Sequence, residues 1–117
     1  MHFWNTLGQI CQNTLLTAIL DVGCGGGTYT YEVAKRFPSV LTKGIDLDVD
    51  DAKNKWPILP NLTFKIGDAT KLIEKNHYSL IFCIDVLDDI PNWHVALRHF
   101  HEALKERGFL YIHSPKH

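Results

Sequence analysis

Four glycines, one acid and one cysteine sit together in Asp21-Val22-Gly23-Cys24-Gly25-Gly26-Gly27. Between an apolar run and an amphipathic stretch, such a loop lets the backbone turn sharply and approach a ligand closely while helix N–H groups point outward. The chemistry this suits is the cradling of a nucleotide-type ligand. Gly23, Gly25 and Gly27 follow G-x-G-x-G, whereas the dinucleotide fingerprint G-x-G-x-x-G requires glycine where Thr28 stands. The Gly-Lys-Ser/Thr of a P-loop does not follow either. Asp21 lies two residues before the first glycine, inside the apolar run, so its carboxylate needs hydrogen-bond donors, expected from the loop amides. Cys24 is read as a small packing residue, because no histidine lies near it in sequence to activate a thiolate.

Two further acids fall at matching places. Asp46, followed by Leu47, stands nineteen residues after Gly27 at the end of the next apolar run. An acid at that distance can accept both hydroxyls of a ribose. Asp68, in Gly67-Asp68-Ala69, follows the third run and suits the amino group of an adenine. Taken singly, each acid reads as a solvated turn or a helix cap. Together they favour a ligand outside the carboxyl ends of a parallel sheet, where strand order reverses.

To bring these groups to one edge, the chain must alternate strands with helices. From Thr17 onward short apolar runs do alternate with amphipathic stretches, the pattern of βαβ units. Strands are expected at Ala18–Val22, Val40–Ile45, Leu62–Ile66, Ser79–Ile84 and Phe109–Ile112, apolar enough to be covered on both faces. A helix over Thr28–Phe37 places Tyr29, Val33 and Phe37 on one face and stops at Pro38. A weaker helix spans Asp50–Trp56, ended by Pro57 and Pro60, and Ala69–Lys75 has room for two turns. The clearest stripe is Trp93, Ala96, Leu97, Phe100 and Leu104, on a helix opening near Pro91 with Trp93 as a core anchor. His94, Arg98, His101 and Lys105 fall on its polar side.

The 117 residues, 45% hydrophobic and 21% charged, fit one domain spanning 1–117 with a single core, without internal repeat or linker. A formal net charge of -1 gives no overall field to attract nucleic acid or anionic lipid. Cys11, Cys24 and Cys83 are odd in number and widely spaced, which argues against a disulfide framework and for a cytoplasmic protein. No apolar run approaches a membrane span, and no basic leader precedes Thr17, so a soluble, unprocessed chain is expected.

From about Ala18 to His113 the chain resembles the Rossmann-like (class I) S-adenosylmethionine-dependent methyltransferases, of the small-molecule type. The resemblance rests on Asp21, Gly23, Gly25 and Gly27, on Asp46, on Asp68 with Ala69, and on the segments Tyr78–Leu87 and Leu104–Leu110. It implies a three-layer, doubly wound α/β fold with a mostly parallel sheet of order 3-2-1-4-5. It implies S-adenosyl-L-methionine as cofactor, its methionine part on the glycine loop with Cys24, its ribose on Asp46 beside Leu47, its adenine at Asp68 and Ala69, and Asp85 at the fourth strand's end facing the methyl group. The family's Leu-Lys-Pro-Gly-Gly turn is altered, since Glu106 and Arg107 replace its proline and first glycine, and a reshaped turn is expected around Gly108.

Methyl transfer is an in-line displacement from a sulfonium, so alignment and exclusion of water matter most and a general base is optional. The segment Asp85-Val86-Leu87-Asp88-Asp89-Ile90-Pro91-Asn92-Trp93-His94 contains no Asn/Asp-Pro-Pro-Tyr element, which is similar to small-molecule O- and C-methyltransferases. Its Asp85, Asp88 and Asp89 resemble the Glu-x-x-Glu-His segment of the quinone-biosynthesis O-methyltransferases. Asp85, Asp88, Asp89 and His94 are therefore the catalytic candidates. An aspartate of raised pKa would serve as base, or three oxygens would hold Mg²⁺, although no metal site is assigned. The alternative is that Asp88 and Asp89 cap the following helix.

Family members usually continue beyond the fifth strand with a helix and an antiparallel strand pair. Without them Phe109–Ile112 would be an open edge: either a partner covers it or the chain is a fragment, and a homodimer or partner subunit is expected to pair there. Two functions follow: a methyltransferase acting on the O, C or N of a small-molecule acceptor, or a non-catalytic cofactor-binding subunit. An NAD-dependent oxidoreductase is disfavoured by Thr28.

Overall fold

The computed structural model describes residues 2–113. Five parallel strands, β1 (Ala18–Val22), β2 (Leu41–Asp46), β3 (Leu62–Ile66), β4 (Tyr78–Ile84) and β5 (Leu104–His113), form a sheet in the order β3-β2-β1-β4-β5. The order and the parallel sense are those expected. Among the described residues four helices accompany the strands: α1 (His2–Asn13), α2 (Thr28–Arg36), α3 (Asp50–Lys55) and α4 (Trp93–Ala103).

Central β1 is buried along its whole length, and its side chains alternate between two cores. Ala18, Leu20 and Val22 join Ile81, Cys83, Ala96, Phe100 and Ala103 under α4. Ile19 joins Val33, Leu80 and Phe82 on the opposite face, beneath α1 and α2. Strand order reverses between β1 and β4, so the loops leaving these two strands diverge and open a crevice at their carboxyl ends.

α1 is an element beyond those expected. Phe3, Leu7 and Ile10 recur at the helical spacing and are its buried residues, so its signal lies in the sequence. Phe3 packs against Trp4, Tyr29, Phe82 and Tyr111, with ring centroids 4.8–5.6 Å apart.

Several expected boundaries are corrected. The stretch Ala69–Lys75 forms only a short 3-10 turn over Ala69–Lys71, because Leu72 turns to extended backbone and packs against the core under α4. Trp93 is not a core anchor: it is 47% exposed at the first turn of α4, and the buried face is carried by Ala96, Phe100 and Ala103. Leu104 belongs to β5 rather than α4. The helix stops at Ala103, where the carbonyls of Glu102 and Ala103 accept the backbone N–H groups of Asn76 and His77 at 3.0 and 2.8 Å.

β5 therefore begins five residues before Phe109, and the extra length is absorbed by an irregularity. Tyr78 pairs with Leu104, while Leu80, two residues on, pairs with Phe109. Within it Arg107 adopts φ 68°, so arginine takes a left-handed conformation at the position where the family has its first glycine. β5 is the outer strand of the described sheet, with Phe109 39% and Leu110 38% exposed. Among the described residues, no helix is long and apolar enough to cross a membrane.

Candidate functional site

The glycine loop is built from both sides. The N–H groups of Gly23 and Cys24 donate to the carbonyl of Ile45 at 2.8 and 3.0 Å, tying the end of β1 to the end of β2. Gly25 N–H donates to Asp46 Oδ2 at 2.8 Å, and Leu47 N–H donates to Asp46 Oδ1 at 2.7 Å. Gly27 N–H donates to the carbonyl of Cys24 at 2.9 Å, and the Trp56 indole donates to the carbonyl of Gly26 at 2.7 Å. Gly23, Gly25 and Gly27 have φ of 74°, 55° and 84°, a region L side chains rarely enter. A Cβ on Gly23 would lie 2.4 Å from Val86 Cγ2, and one on Gly27 would lie 2.6 Å from Phe64 Cζ.

Asp21 is buried, and its donor is not one of these amides. The Thr30 hydroxyl, in the first turns of α2, donates to its Oδ2 at 2.7 Å, while the amides of Gly23, Cys24, Gly25 and Gly27 go to Ile45, Asp46 and Cys24. Burial pushes the Asp21 carboxyl up to about 7, against the Thr30 hydrogen bond and with help from the charge of Asp46. Asp21 thus supports the loop from beneath. The Cys24 thiol is pushed up to about 12 by burial and by Asp21 and Asp46, so it stays protonated and unreactive at neutral pH.

A cleft of about 570 Å³ opens at the carboxyl ends of the strands. Its walls bring together Gly23, Asp46, Leu47, Asp68 and Ala69 with Val86, Asp89, Ile90, Pro91 and Asn92. The volume lies within the roughly 300–1,000 Å³ usual for small-ligand sites. Asp68 Oδ1 accepts from both the amide and the hydroxyl of Thr70, at 2.8 and 2.7 Å, which lowers its pKa and keeps it ionised. Leu47, 74% exposed, offers an apolar wall beside Asp46. Three carboxylates line the cleft, and Lys71 is the one cation there among the described residues, a balance that suits a positively charged ligand.

The other candidates lie elsewhere. Asp21, Cys24, Gly25 and Gly27 belong to the loop and its support rather than to the cleft wall. Asp85 sits at φ 62° and turns to β5: its N–H donates to the carbonyl of His113 at 2.8 Å, and its Oδ1 pairs with His113 Nδ1. Asp88 and Asp89 form a 3-10 turn with Leu87, and the N-cap of α4 is Asn92, whose side chain makes no capping hydrogen bond. His94 is exposed on the first turn of α4. No three metal-ligating side chains gather among the described residues, so Asp85, Asp88 and Asp89 do not converge on an ion.

Sequence reasoning missed Thr30, Trp56 and Lys71, whereas the Val86–Asn92 stretch that lines the cleft falls within the segment it singled out after the fourth strand. Thr30 had a signal: a hydroxyl in the first helical turn after the loop, above a buried acid. Trp56 had none, because only the fold carries α3 to the outer side of the glycines.

Residues 8–117 match the family described as methyltransferase domain. The chain is 32% identical over 98 residues to the trans-aconitate 2-methyltransferase of Deinococcus radiodurans, covering 83% of this chain and 37% of that protein. It is 37% identical over 93 residues to malonyl-[acyl-carrier protein] O-methyltransferase 1 of Ilyobacter polytropus, covering 77% of this chain and 35% of that protein. The chain thus spans about a third of the length of these curated relatives. Its fold is similar to an S-adenosylmethionine-dependent methyltransferase from Mesorhizobium loti, with a TM-score of 0.75 at 22% identity, covering 96% of this chain and 53% of the other. It is also similar to a polyketide-synthase O-methyltransferase of Brevibacillus brevis, solved with S-adenosyl-L-homocysteine, with a TM-score of 0.77 at 22% identity, covering 88% and 37%. With the glycine loop, the strand order and the match over residues 8–117 in agreement, the chain belongs to the methyltransferase-domain family of the class I S-adenosylmethionine-dependent enzymes.

Proposed function

We propose that the protein transfers a methyl group from S-adenosylmethionine to an O, C or N atom of a small-molecule acceptor. The observation that carries this reading is the cleft: Gly23, Asp46 and Asp68, from the ends of three adjacent strands, face one volume at the sheet's reversal point. The residues fit the cofactor chemically. Asp46 keeps acceptor capacity for ribose hydroxyls beyond its two amide bonds, Asp68 with Ala69 and Leu47 suits an adenine edge and face, and the carboxylate excess suits a sulfonium and an ammonium.

The bound cofactor supplies an activated methyl group. The chain's own residues bind, orient and exclude water: Val86, Ile90 and Pro91 give the cleft apolar lining beside its acids. Of the four catalytic candidates, Asp89 is the one that lines the cleft, and we assign it to the acceptor side. Asp85, Asp88 and His94 are assigned to the rim. The relatives named for trans-aconitate and for malonyl-[acyl-carrier protein] favour an acceptor carrying oxygen nucleophiles. We place the protein in the cytosol, and we infer that the exposed outer edge of β5 pairs with a second subunit, which light scattering across a concentration series tests.

The decisive experiment is calorimetry with S-adenosylmethionine, S-adenosylhomocysteine and NAD, followed by label transfer from methyl-labelled cofactor into candidate acceptors. Binding of the first two with transfer supports the reading. Binding without transfer to any acceptor in a cell extract favours a cofactor-binding subunit, and preference for NAD overturns both.

A further inference from the structure

We propose that Trp56 is a positioning residue for the cofactor cradle, holding the Gly26–Gly27 peptide in one orientation from outside the site. The proposal rests on the cofactor reading above. A peptide between two glycines flips easily, because neither residue has a Cβ to resist it. Here both ends of the peptide are held. Its carbonyl accepts the Trp56 indole N–H at 2.7 Å, and its N–H donates to the carbonyl of Cys24 at 2.9 Å.

The clamp is itself fixed on several sides. The Trp56 ring stacks on Tyr31 of α2, with centroids 4.7 Å apart and planes 14° from parallel, and Lys55 Nζ lies 5.6 Å from its centroid. Trp56 packs with the small core of Val49, Ala52 and Phe64. Phe64 and the indole nitrogen also occupy the space beside Gly27: a Cβ there would lie 2.6 Å from Phe64 Cζ and 3.1 Å from Trp56 Nε1. The loop is therefore pressed between β2, which takes the amides of Gly23, Cys24 and Gly25, and the aromatic pair of Trp56, just after α3, and Phe64 of β3. Without the indole donor only the Gly27 N–H bond to the Cys24 carbonyl resists rotation of this peptide, and the cradle loses part of the fixed arrangement a ligand would meet.

The test uses the full chain and S-adenosylhomocysteine as probe. Trp56→Phe keeps an aromatic face on Tyr31 and removes the donor. We expect it to bind the probe about 3- to 10-fold more weakly at a temperature well below melting, the range one lost hydrogen bond gives. A purely structural role would lower the melting temperature and leave that affinity unchanged, and equal affinity overturns the proposal. An independent measurement needs no variant: the Trp56 indole proton in the unliganded chain should exchange slowly with solvent, and fast exchange overturns the clamp. Failure of the wild-type chain to bind the probe would overturn the cofactor reading instead, while the indole exchange still decides whether Trp56 holds the loop.

Discussion

Asp21 and Thr30 share a 2.7 Å hydrogen bond beneath the glycine loop, with exposures of 4% and 0%. The acid titrates near 7 in the fold and near 3.8 when exposed. Between those values the folded state holds a proton that the unfolded chain has released, so this group's contribution is fully present below about pH 4 and is lost as pH rises through 7. Urea unfolding from pH 4 to 8 should show wild-type stability falling relative to Asp21→Asn. Parallel profiles would refute the assignment. Thr30→Val removes the donor from a buried acid and should cost about 1–3 kcal/mol at neutral pH.

Asp46 has two tasks, holding Gly25 and Leu47 by their amides and presenting its remaining acceptor capacity to the cleft. Asp46→Ala should weaken S-adenosylhomocysteine binding by about 1–3 kcal/mol, the usual loss for charge-assisted hydrogen bonds. Calorimetry reads this directly, and an unchanged dissociation constant would remove Asp46 from the site.

Two glycines of the loop should respond differently to alanine. At Gly25 a Cβ meets nothing within 4 Å, so only the backbone strain of φ 55° is paid, about 1 kcal/mol. At Gly23 the same strain is joined by a contact of 2.4 Å with Val86, and the cost should reach about 2–4 kcal/mol. Combining Gly23→Ala with Val86→Ala should recover part of the second cost, measurable as non-additivity in a denaturation cycle.

Arg107 pays the same left-handed strain in the β5 irregularity, at φ 68°. Arg107→Gly should raise stability by about 0.5–1 kcal/mol, the strain relieved less the added freedom of the unfolded chain. A drop in the urea midpoint would show that the arginine side chain contributes more than its backbone costs.

Local signals in the sequence marked the five strands and three of the helices, while the strand order followed from the family resemblance. Apolar runs between glycines and prolines leave few alternatives for a chain of βαβ units, and G-x-G-x-G separates this loop from the dinucleotide fingerprint. Only the tertiary structure decided who partners whom. The loop amides turned out to face Ile45 and Asp46, which left Asp21 to Thr30. Asp85 turned to His113, twenty-eight residues away, and so left the group expected at the methyl centre. Trp56 reached Gly26 across thirty residues. Periodicity records which face of an element is apolar, whereas a hydrogen bond between elements depends on register and crossing, which the pattern of residue types does not carry.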